Sequence, residues 1–311
     1  SQKNMAITTG NVTFGPKKSI TYDFNINAKN FMALNTTGKD NKQFYGLAYM
    51  TGVININGGN NNIMIDISGK TEKNTRINIP ISKSDEVGQS NFITFVNNED
   101  KIKVANQQED VITNLSGFRL NFDLQVTPDA ETQLIFDSKI GDLIRAKGEG
   151  DLKLEIDKNG NFNMFGDYNI EEGDYLFTLG NILNKRFDIE RGGRIVWNGN
   201  PYNAVIDIEA IYNLRAPLTN LFPTADSSQL AYYRKRIPVE CQIYMTQSLK
   251  NPEVRFNIDL PTSDEETKTD MRTVINTQEK LNKQFLSLLF INNFNYDEPD
   301  QTNFGIAEYG A

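Results

Sequence analysis

The sequence predicts a mainly β protein: an elongated antiparallel sheet, followed near the C-terminus by one or two short amphipathic helices. Three observations predict this class. Apolar and polar residues alternate in many segments, turn dipeptides separate several of these segments, and a helical period replaces the alternation only once. Strands of a parallel sheet covered on both faces would instead read as continuous apolar runs.

The alternating segments extend from about residue 20 to residue 260. Their apolar members include Ile20, Tyr22, Phe24 and Ile26; Ile63, Ile65 and Ile67; Ile77, Ile79 and Ile81; Leu120, Phe122 and Leu124; Leu152, Leu154 and Ile156; Ile206 and Ile208; Val239, Cys241, Ile243 and Met245; and Val254, Phe256 and Ile258. Each run gives a strand with one apolar and one polar face. The dipeptides Asn57-Gly58, Asn159-Gly160 and Asn198-Gly199 predict hairpin turns between such strands.

Helical periodicity begins after Ser263, and it predicts one helix or two short ones over roughly 264–292. Ser263 and Glu266 have the spacing of a capping box, which predicts that Ser263 is the N-cap. Segments 82–91 and 214–236 are expected to be longer loops, and 293–311 a polar tail.

Composition excludes several classes of function. The chain has no histidine and a single cysteine, Cys241, which removes histidine-dependent catalysis, thiolate zinc clusters and internal disulfides. Its 40 acidic and 32 basic residues give a net charge of −8, so the basic surface of a general nucleic-acid binder is not expected. We therefore expect neither an enzyme, nor a metal site, nor a resident cofactor, nor a nucleic-acid partner. Cys241 falls on the apolar side of its strand and should be a buried, inert thiol.

The apolar face of so long a sheet has to be covered, and the pattern leaves two solutions open. The sheet could pair with another as a closed sandwich, or it could curl into a trough lined by apolar side chains. The one basic cluster, Arg234, Lys235 and Arg236, is either a solvated loop or a contact to lipid head groups or an acidic partner.

Residues 145–292 carry a family resemblance. In order they contain Gly166-Asp167-Tyr168, Gly173-Asp174-Tyr175, Phe187-Asp188-Ile189, Trp197, Gly199-Asn200-Pro201, the run from Ile206 to Tyr212, the run from Asn251 to Pro261, and the run from Gln284 to Leu289. This succession resembles the conserved C-terminal domain of the TamB family. It implies a region of groove repeats over 1–144 that continues into a TamB-like domain over 145–311, with strands over 145–261.

The resemblance also implies a fold and a setting. Proteins of this AsmA-like group have a long sheet curled around an apolar groove, and they lie in the bacterial periplasm, anchored in the inner membrane by an N-terminal helix. Because no such helix is present here, the chain is expected to be a C-terminal portion. The implied partners are phospholipid and an outer-membrane barrel protein of the TamA/BamA type. Phospholipid or detergent could remain bound when the chain is purified.

Carried onto this sequence, the resemblance makes the inward-facing residues the lining of a lipid groove. They are Ile20, Tyr22, Phe24, Ile65, Ile79, Phe122, Leu124, Leu154, Ile156, Phe162, Met164, Tyr168, Ile170, Trp197, Ile206, Ile208, Ile243, Phe256 and Ile258. Of these, Phe162, Tyr168 and Trp197 are also expected to pack around glycine turns. The helical residues Leu281, Phe285, Leu288 and Leu289 either cap the groove or pack against the end of the sheet.

Three functions follow as hypotheses. The first is a conduit that moves phospholipid acyl chains between the two membranes along the groove. The second is an assembly factor that holds strands of outer-membrane proteins at a sheet edge, by strand addition. The third is a closed β-sandwich with a structural or adhesive role.

Overall fold

The computed structural model describes residues 4–16, 19–40, 44–60, 62–81, 117–137, 142–159, 161–179, 182–223 and 227–296. The expected loop at 82–91 and most of the expected tail lie outside these residues. The strands are β1 (Met5–Phe14), β2 (Ile20–Thr36), β3 (Tyr45–Gly59), β4 (Asn62–Thr71), β5 (Arg76–Pro80), β6 (Phe118–Val126), β7 (Glu131–Asp137), β8 (Asp142–Ile156), β9 (Phe162–Leu179), β10 (Leu183–Ile189), β11 (Arg194–Gly199), β12 (Val205–Ala216), β13 (Ile237–Ser248) and β14 (Asn251–Asp259). The helices are α1 (Ser227–Tyr233), α2 (Glu265–Val274) and α3 (Gln278–Ile291). The predicted fold class, mainly β with one large sheet and C-terminal helices, is confirmed.

The chain forms two compact units. Unit 1 comprises residues 1–210 and 244–254, and unit 2 comprises residues 211–243 and 255–311. In unit 1 the strand order is β1-β2-β3-β4-β6-β8-β9-β10-β12, with β11 paired to β9 and β12. Unit 2 contains the three helices and the remaining parts of β12, β13 and β14.

Most strand pairs are antiparallel, as predicted, but β4 pairs with β6 and β5 pairs with β7 in parallel. Both parallel pairs have the same register, since Ile63 faces Phe118 and Arg76 faces Glu131 at an offset of 55 residues (118 − 63 = 131 − 76 = 55). Residues 62–80 and 117–135 therefore run side by side in one continuous register, and each is interrupted for four residues, at 72–75 and 127–130. An alternating pattern cannot distinguish this arrangement from an antiparallel one, because both place every second side chain on one face.

Strand irregularities lie side by side across unit 1. The β2–β3 register shifts after Ala28, the interruptions at 72–75 and 127–130 follow on neighbouring strands, and the β8–β9 register shifts between Lys147 and Gly148. Thr71 joins the two interruptions, because its Oγ1 accepts a hydrogen bond of 2.9 Å from the backbone N–H of Thr127. We call this row of irregularities the bulge line; bulges bend a strand and increase its local twist.

Two of the three predicted turn dipeptides lie elsewhere than expected. Asn57 and Gly58 are inside β3, opposite Met64 and Ile63, and the turn follows Gly59 instead. Gly199 ends β11, and a 3-10 turn at Pro201–Asn203 leads into β12. The third prediction is correct at Asn159: the Asp157 carboxylate accepts hydrogen bonds from the N–H groups of Asn159 (2.8 Å) and Asn161 (2.9 Å) between β8 and β9. The side-chain amide of Asn161 also donates to this carboxylate, and its hydrogen bond lowers the pKa of Asp157.

The C-terminal helices follow the prediction with one correction. The periodic segment is two helices, α2 and α3, which is one of the two arrangements that the sequence left open. The N-cap of α2 is Asp264 rather than Ser263, because the Asp264 carboxylate accepts a 2.8 Å hydrogen bond from the N–H of Thr267. The expected loop at 214–236 was wrong in part, since β12 continues to Ala216 and α1 forms at 227–233. Cys241 is buried, as predicted.

Candidate functional site

The apolar face of unit 1 is an ordered array of side chains. Residues that lie opposite each other on paired strands form four rows across the sheet, which we call the apolar rows. They are Tyr22–Gly58–Ile63–Phe118; Phe24–Ile56–Ile65–Leu120–Ile156–Phe162; Ile26–Ile54–Ile67–Phe122–Leu154–Met164; and Ala28–Gly52–Gly69–Leu124–Leu152–Gly166. A row of six strands extends about 24 Å at ~4.8 Å per strand gap.

Among the glycines of these rows, Gly166 is required by both its backbone conformation and its surroundings. Gly166 has φ +113°, and a Cβ built on it would lie 2.1 Å from the carbonyl oxygen of Asp151 on β8. This close approach of β9 to β8 explains why the fourth row ends on a residue without a side chain.

Side chains between the apolar rows lie on the opposite face and are mostly polar, with Val53, Met64 and Phe165 as apolar members. One such row reads Asn25–Asn55–Asp66–Asn121–Glu155–Asn163. Hydrogen bonds of 2.7 Å join Asn25 to Asn55 and Asn121 to Asp66 along it. This polar face also holds an open depression of about 720 Å³, lined in part by Lys70, Asp123 and Lys153. Leu124, Leu152 and Phe165 also line it, so its wall is mixed, unlike the apolar rows.

The apolar rows remain partly accessible. Phe24, Ile65, Phe122, Leu154 and Met164 are all half-buried, although they belong to the apolar side of a sheet. Ile156 and Phe118 are the buried centre of a cluster that includes half-buried Ile65, Leu120 and Phe162. A closed sandwich core would bury such side chains on the inner face almost completely.

Burial is greater in another part of unit 1, from Tyr168 onward in β9 and on β12. Ile170, Ile206 and Ile208 are each 1% exposed, and Tyr168 is 3% exposed. Burial raises the pKa of Tyr168 to about 12, so its phenol is neutral at neutral pH. Unit 1 thus combines a closed core with an apolar face that stays partly open.

The residues expected to line a groove divide between these two environments. Those in the apolar rows are Tyr22, Phe24, Ile65, Phe122, Leu124, Leu154, Ile156, Phe162 and Met164, with Ile20 exposed at the start of β2. Ile79 is half-buried on β5, and Tyr168, Ile170, Trp197, Ile206 and Ile208 are buried in unit 1. The structure also adds row members that sequence reasoning missed, namely Ile54 and Ile56 on β3; their alternation with Asn55 and Asn57 was the available signal.

The remaining predicted residues belong to unit 2. Ile243 and Ile258 are buried, and the rings of Phe256 and Phe285 stack with centroids 4.4 Å apart. Phe285, Leu288 and Leu289 on α3 are fully buried, and Leu281 is half-buried. Within unit 2, α3 therefore packs on β14. The predicted head-group contacts Arg234, Lys235 and Arg236 are all exposed.

The described residues contain no cluster of His, Cys, Asp and Glu that could hold a metal ion. Among them, no helix is both long and apolar enough to cross a bilayer. What stands out in unit 1 is an extended apolar face with mostly polar residues on the reverse.

Comparison with protein families identifies the chain more closely. It belongs to the TamB C-terminal domain family, whose model matches residues 1–307. The match therefore includes 1–144, where the residues alone showed only a β pattern. No curated protein and no solved structure matched the chain. Membership associates it with the translocation and assembly module of the bacterial envelope and points to a non-enzymatic transport or assembly role.

Proposed function

We propose that this chain guides phospholipid acyl chains along its apolar rows as part of a periplasmic conduit between the inner and outer membranes. The observation that carries this proposal is the partial accessibility of four continuous apolar rows. Each CH₂ group transferred from water to such a surface contributes about 0.8 kcal/mol, so an acyl chain is a favourable occupant.

The polar reverse of the sheet supports the same function. Because apolar and polar side chains alternate strictly along β6, acyl chains and charged head groups have separate places: chains on the rows, head groups in water. A charge within the rows would be costly to bury beside an acyl chain. Lipids would thus move along the rows without a fixed stopping point and without a chemical step.

The test is lipid content after purification without detergent. Organic extraction and mass spectrometry should find phospholipid bound to the chain, and Phe122→Asp, in the middle of the third row, should lower its amount at least about tenfold, since a desolvated charge costs several kcal/mol. Gln125→Asp is the matched control, because Gln125 is exposed on the polar face of the same strand. Its lipid content should equal that of the unchanged chain.

Circular dichroism must show that both variants keep their β structure. A folded Phe122→Asp protein with unchanged lipid content would refute the conduit. A folded, lipid-free parent chain would do the same and would favour strand binding.

A second function, strand addition to clients of outer-membrane assembly, is favoured by one observation. β1 is the last strand in the sheet order, and among the described residues it pairs only with β2. Ile7 and Phe14 on this strand are 58% and 77% exposed. In this second function the chain would work together with an outer-membrane barrel protein of the TamA/BamA type. Cross-links from an outer-membrane strand peptide to β1 rather than to the apolar rows would support it.

A further inference from the structure

The C-terminal end of α3 exposes apolar side chains. Ile291 is 64% exposed and Phe290 is 43% exposed, whereas the two residues directly before them, Leu288 and Leu289, are fully buried. The helix ends at Asn292, whose left-handed conformation (φ 50°) allows its N–H to bond the carbonyl of Leu288. Two large apolar side chains are therefore held on an ordered helix end and directed away from the core of unit 2.

Arginine side chains lie beside this helix end. Arg215, at the end of β12, donates from Nε (3.2 Å) and Nη2 (2.8 Å) to the carbonyl oxygen of Arg236, at the start of β13. Arg236 donates from Nη2 to the carbonyl oxygen of Arg215 at 2.6 Å. The two guanidinium groups are thus fixed next to each other by main-chain carbonyls.

No carboxylate of the described residues forms a salt bridge with either arginine, or with the exposed Arg234 and Lys235 that precede Arg236. A guanidinium has five N–H donors. Arg215 uses Nε and Nη2 on one carbonyl oxygen, and Arg236 uses Nη2 on the carbonyl oxygens of Arg215 and Asn292. Among the described residues the other donors of the pair have no partner, so they can bind an anion. Neighbouring like charges that form no salt bridge with the described residues favour such an anion.

The basic and apolar groups meet at the end of α3. Nη2 of Arg236 lies 3.4 Å from the carbonyl oxygen of Asn292, the residue that directly follows Ile291. We call Arg215, Arg234, Lys235, Arg236, Phe290 and Ile291 the basic–apolar patch. All six residues belong to unit 2.

We propose that the basic–apolar patch binds the surface of a bilayer that contains anionic phospholipids. Arginines that are anchored on carbonyls present their remaining donors to lipid phosphates, a geometry that guanidinium groups suit. Phe290 and Ile291 then enter the boundary between head groups and acyl chains, as apolar residues of interfacial helices do. An acidic protein would satisfy the charges but would leave unexplained why apolar side chains stand exposed beside them.

This inference does not depend on the lipid conduit, because surface binding requires no movement of acyl chains along unit 1. It also explains how a chain with a net charge of −8 can approach an anionic surface: the contact is made through a local basic patch.

The test is co-sedimentation of the full 311-residue chain with vesicles. Vesicles of phosphatidylcholine with about one-third phosphatidylglycerol should sediment the protein, and vesicles of phosphatidylcholine alone should not. Each basic residue near an anionic surface accounts for roughly a fivefold change in affinity. Arg234→Glu with Lys235→Glu should therefore weaken binding at least about tenfold, and Ile291→Ser should weaken it severalfold.

Matched variants in unit 1 provide controls. Arg119→Glu with Lys158→Glu gives the same change in net charge on exposed positions, and Ile182→Ser removes an isoleucine that is 82% exposed. Both should bind anionic vesicles as the unchanged chain does. Equal loss in the control and patch variants would overturn the proposal, as would equal binding to neutral vesicles.

Competition with free anions distinguishes binding to a membrane surface from binding to a site for soluble phosphate. Sodium chloride should release the protein through screening, and inorganic phosphate at the same ionic strength should release no more. Phosphate that displaces the protein at concentrations where chloride does not would show a soluble-anion site and would contradict surface binding. Thermal unfolding of each variant establishes that the patch changes leave unit 2 folded.

Discussion

At the scale of the residue, burial controls the chemistry of Tyr168. The side chain is 3% exposed, and burial raises its pKa to about 12, above the ordinary value of 10.0. Because the folded chain holds the phenol proton more tightly than the unfolded chain, this group contributes its full stability below pH 10. The contribution is lost as the pH rises from 10 to 12.

We therefore predict that the free energy of unfolding falls between pH 9 and pH 11.5 by about 2 kcal/mol more than it does in Tyr168→Phe. Urea unfolding at the two pH values measures this difference. The phenylalanine variant is the appropriate control because the other 11 of the 12 tyrosines titrate in both proteins. Identical pH dependence in the two proteins would show that Tyr168 is not desolvated as described.

At the scale of the element, the bulge line distinguishes this sheet from a regular one. The interruptions at 72–75 and 127–130 lie side by side, and Thr71 connects them through its hydroxyl group. The Oγ atoms of Thr71 and Thr127 are 3.0 Å apart, and Thr127 also donates to the carbonyl oxygen of Thr71 at 3.2 Å. These bonds satisfy backbone groups that an interrupted strand cannot pair along its ladder.

Replacing the hydroxyl group of Thr71 by a methyl group should destabilise the folded protein. Thr71→Val keeps the shape of the side chain but leaves the N–H of Thr127 without its acceptor, so we expect a loss of about 1–3 kcal/mol in the free energy of unfolding. Thr71→Ser retains the hydroxyl and should lose less than half as much. Equal stability of the valine variant and the unchanged chain would show that the hydroxyl does not hold the two interruptions together.

Element types were predictable from local pattern, whereas their neighbours were not. Alternation identified β2, β4, β6, β8 and β12, because the side-chain period of a strand is two. It could not indicate that β4 and β6 are parallel, since both orientations share this period. Asn57-Gly58 failed as a turn signal because the pairing of β3 with β4 continues through it to Gly59, and the longer strand took precedence over the local preference.

At the scale of the whole molecule, the sequence predicted which side chains share the apolar side of the sheet. It did not predict which of them remain accessible. Ile65 and Ile208 have the same alternating context in the sequence, yet Ile65 is half-buried and Ile208 is 1% exposed. Periodicity determines the side of the sheet to which a residue belongs. What covers that side depends on distant segments. The basic–apolar patch likewise combines residues 215, 234–236 and 290–291, which are far apart in sequence.

The central claim is that phospholipid chains occupy the apolar rows, and photo-cross-linking along β6 tests it most directly. A photoreactive residue would be placed singly at each position from Leu120 to Gln125, and the purified chain would be irradiated in the presence of phospholipid. The account predicts cross-links to lipid at Leu120, Phe122 and Leu124 and none above background at Asn121, Asp123 and Gln125. Equal labelling of both sets, or no labelling at any position, would contradict it.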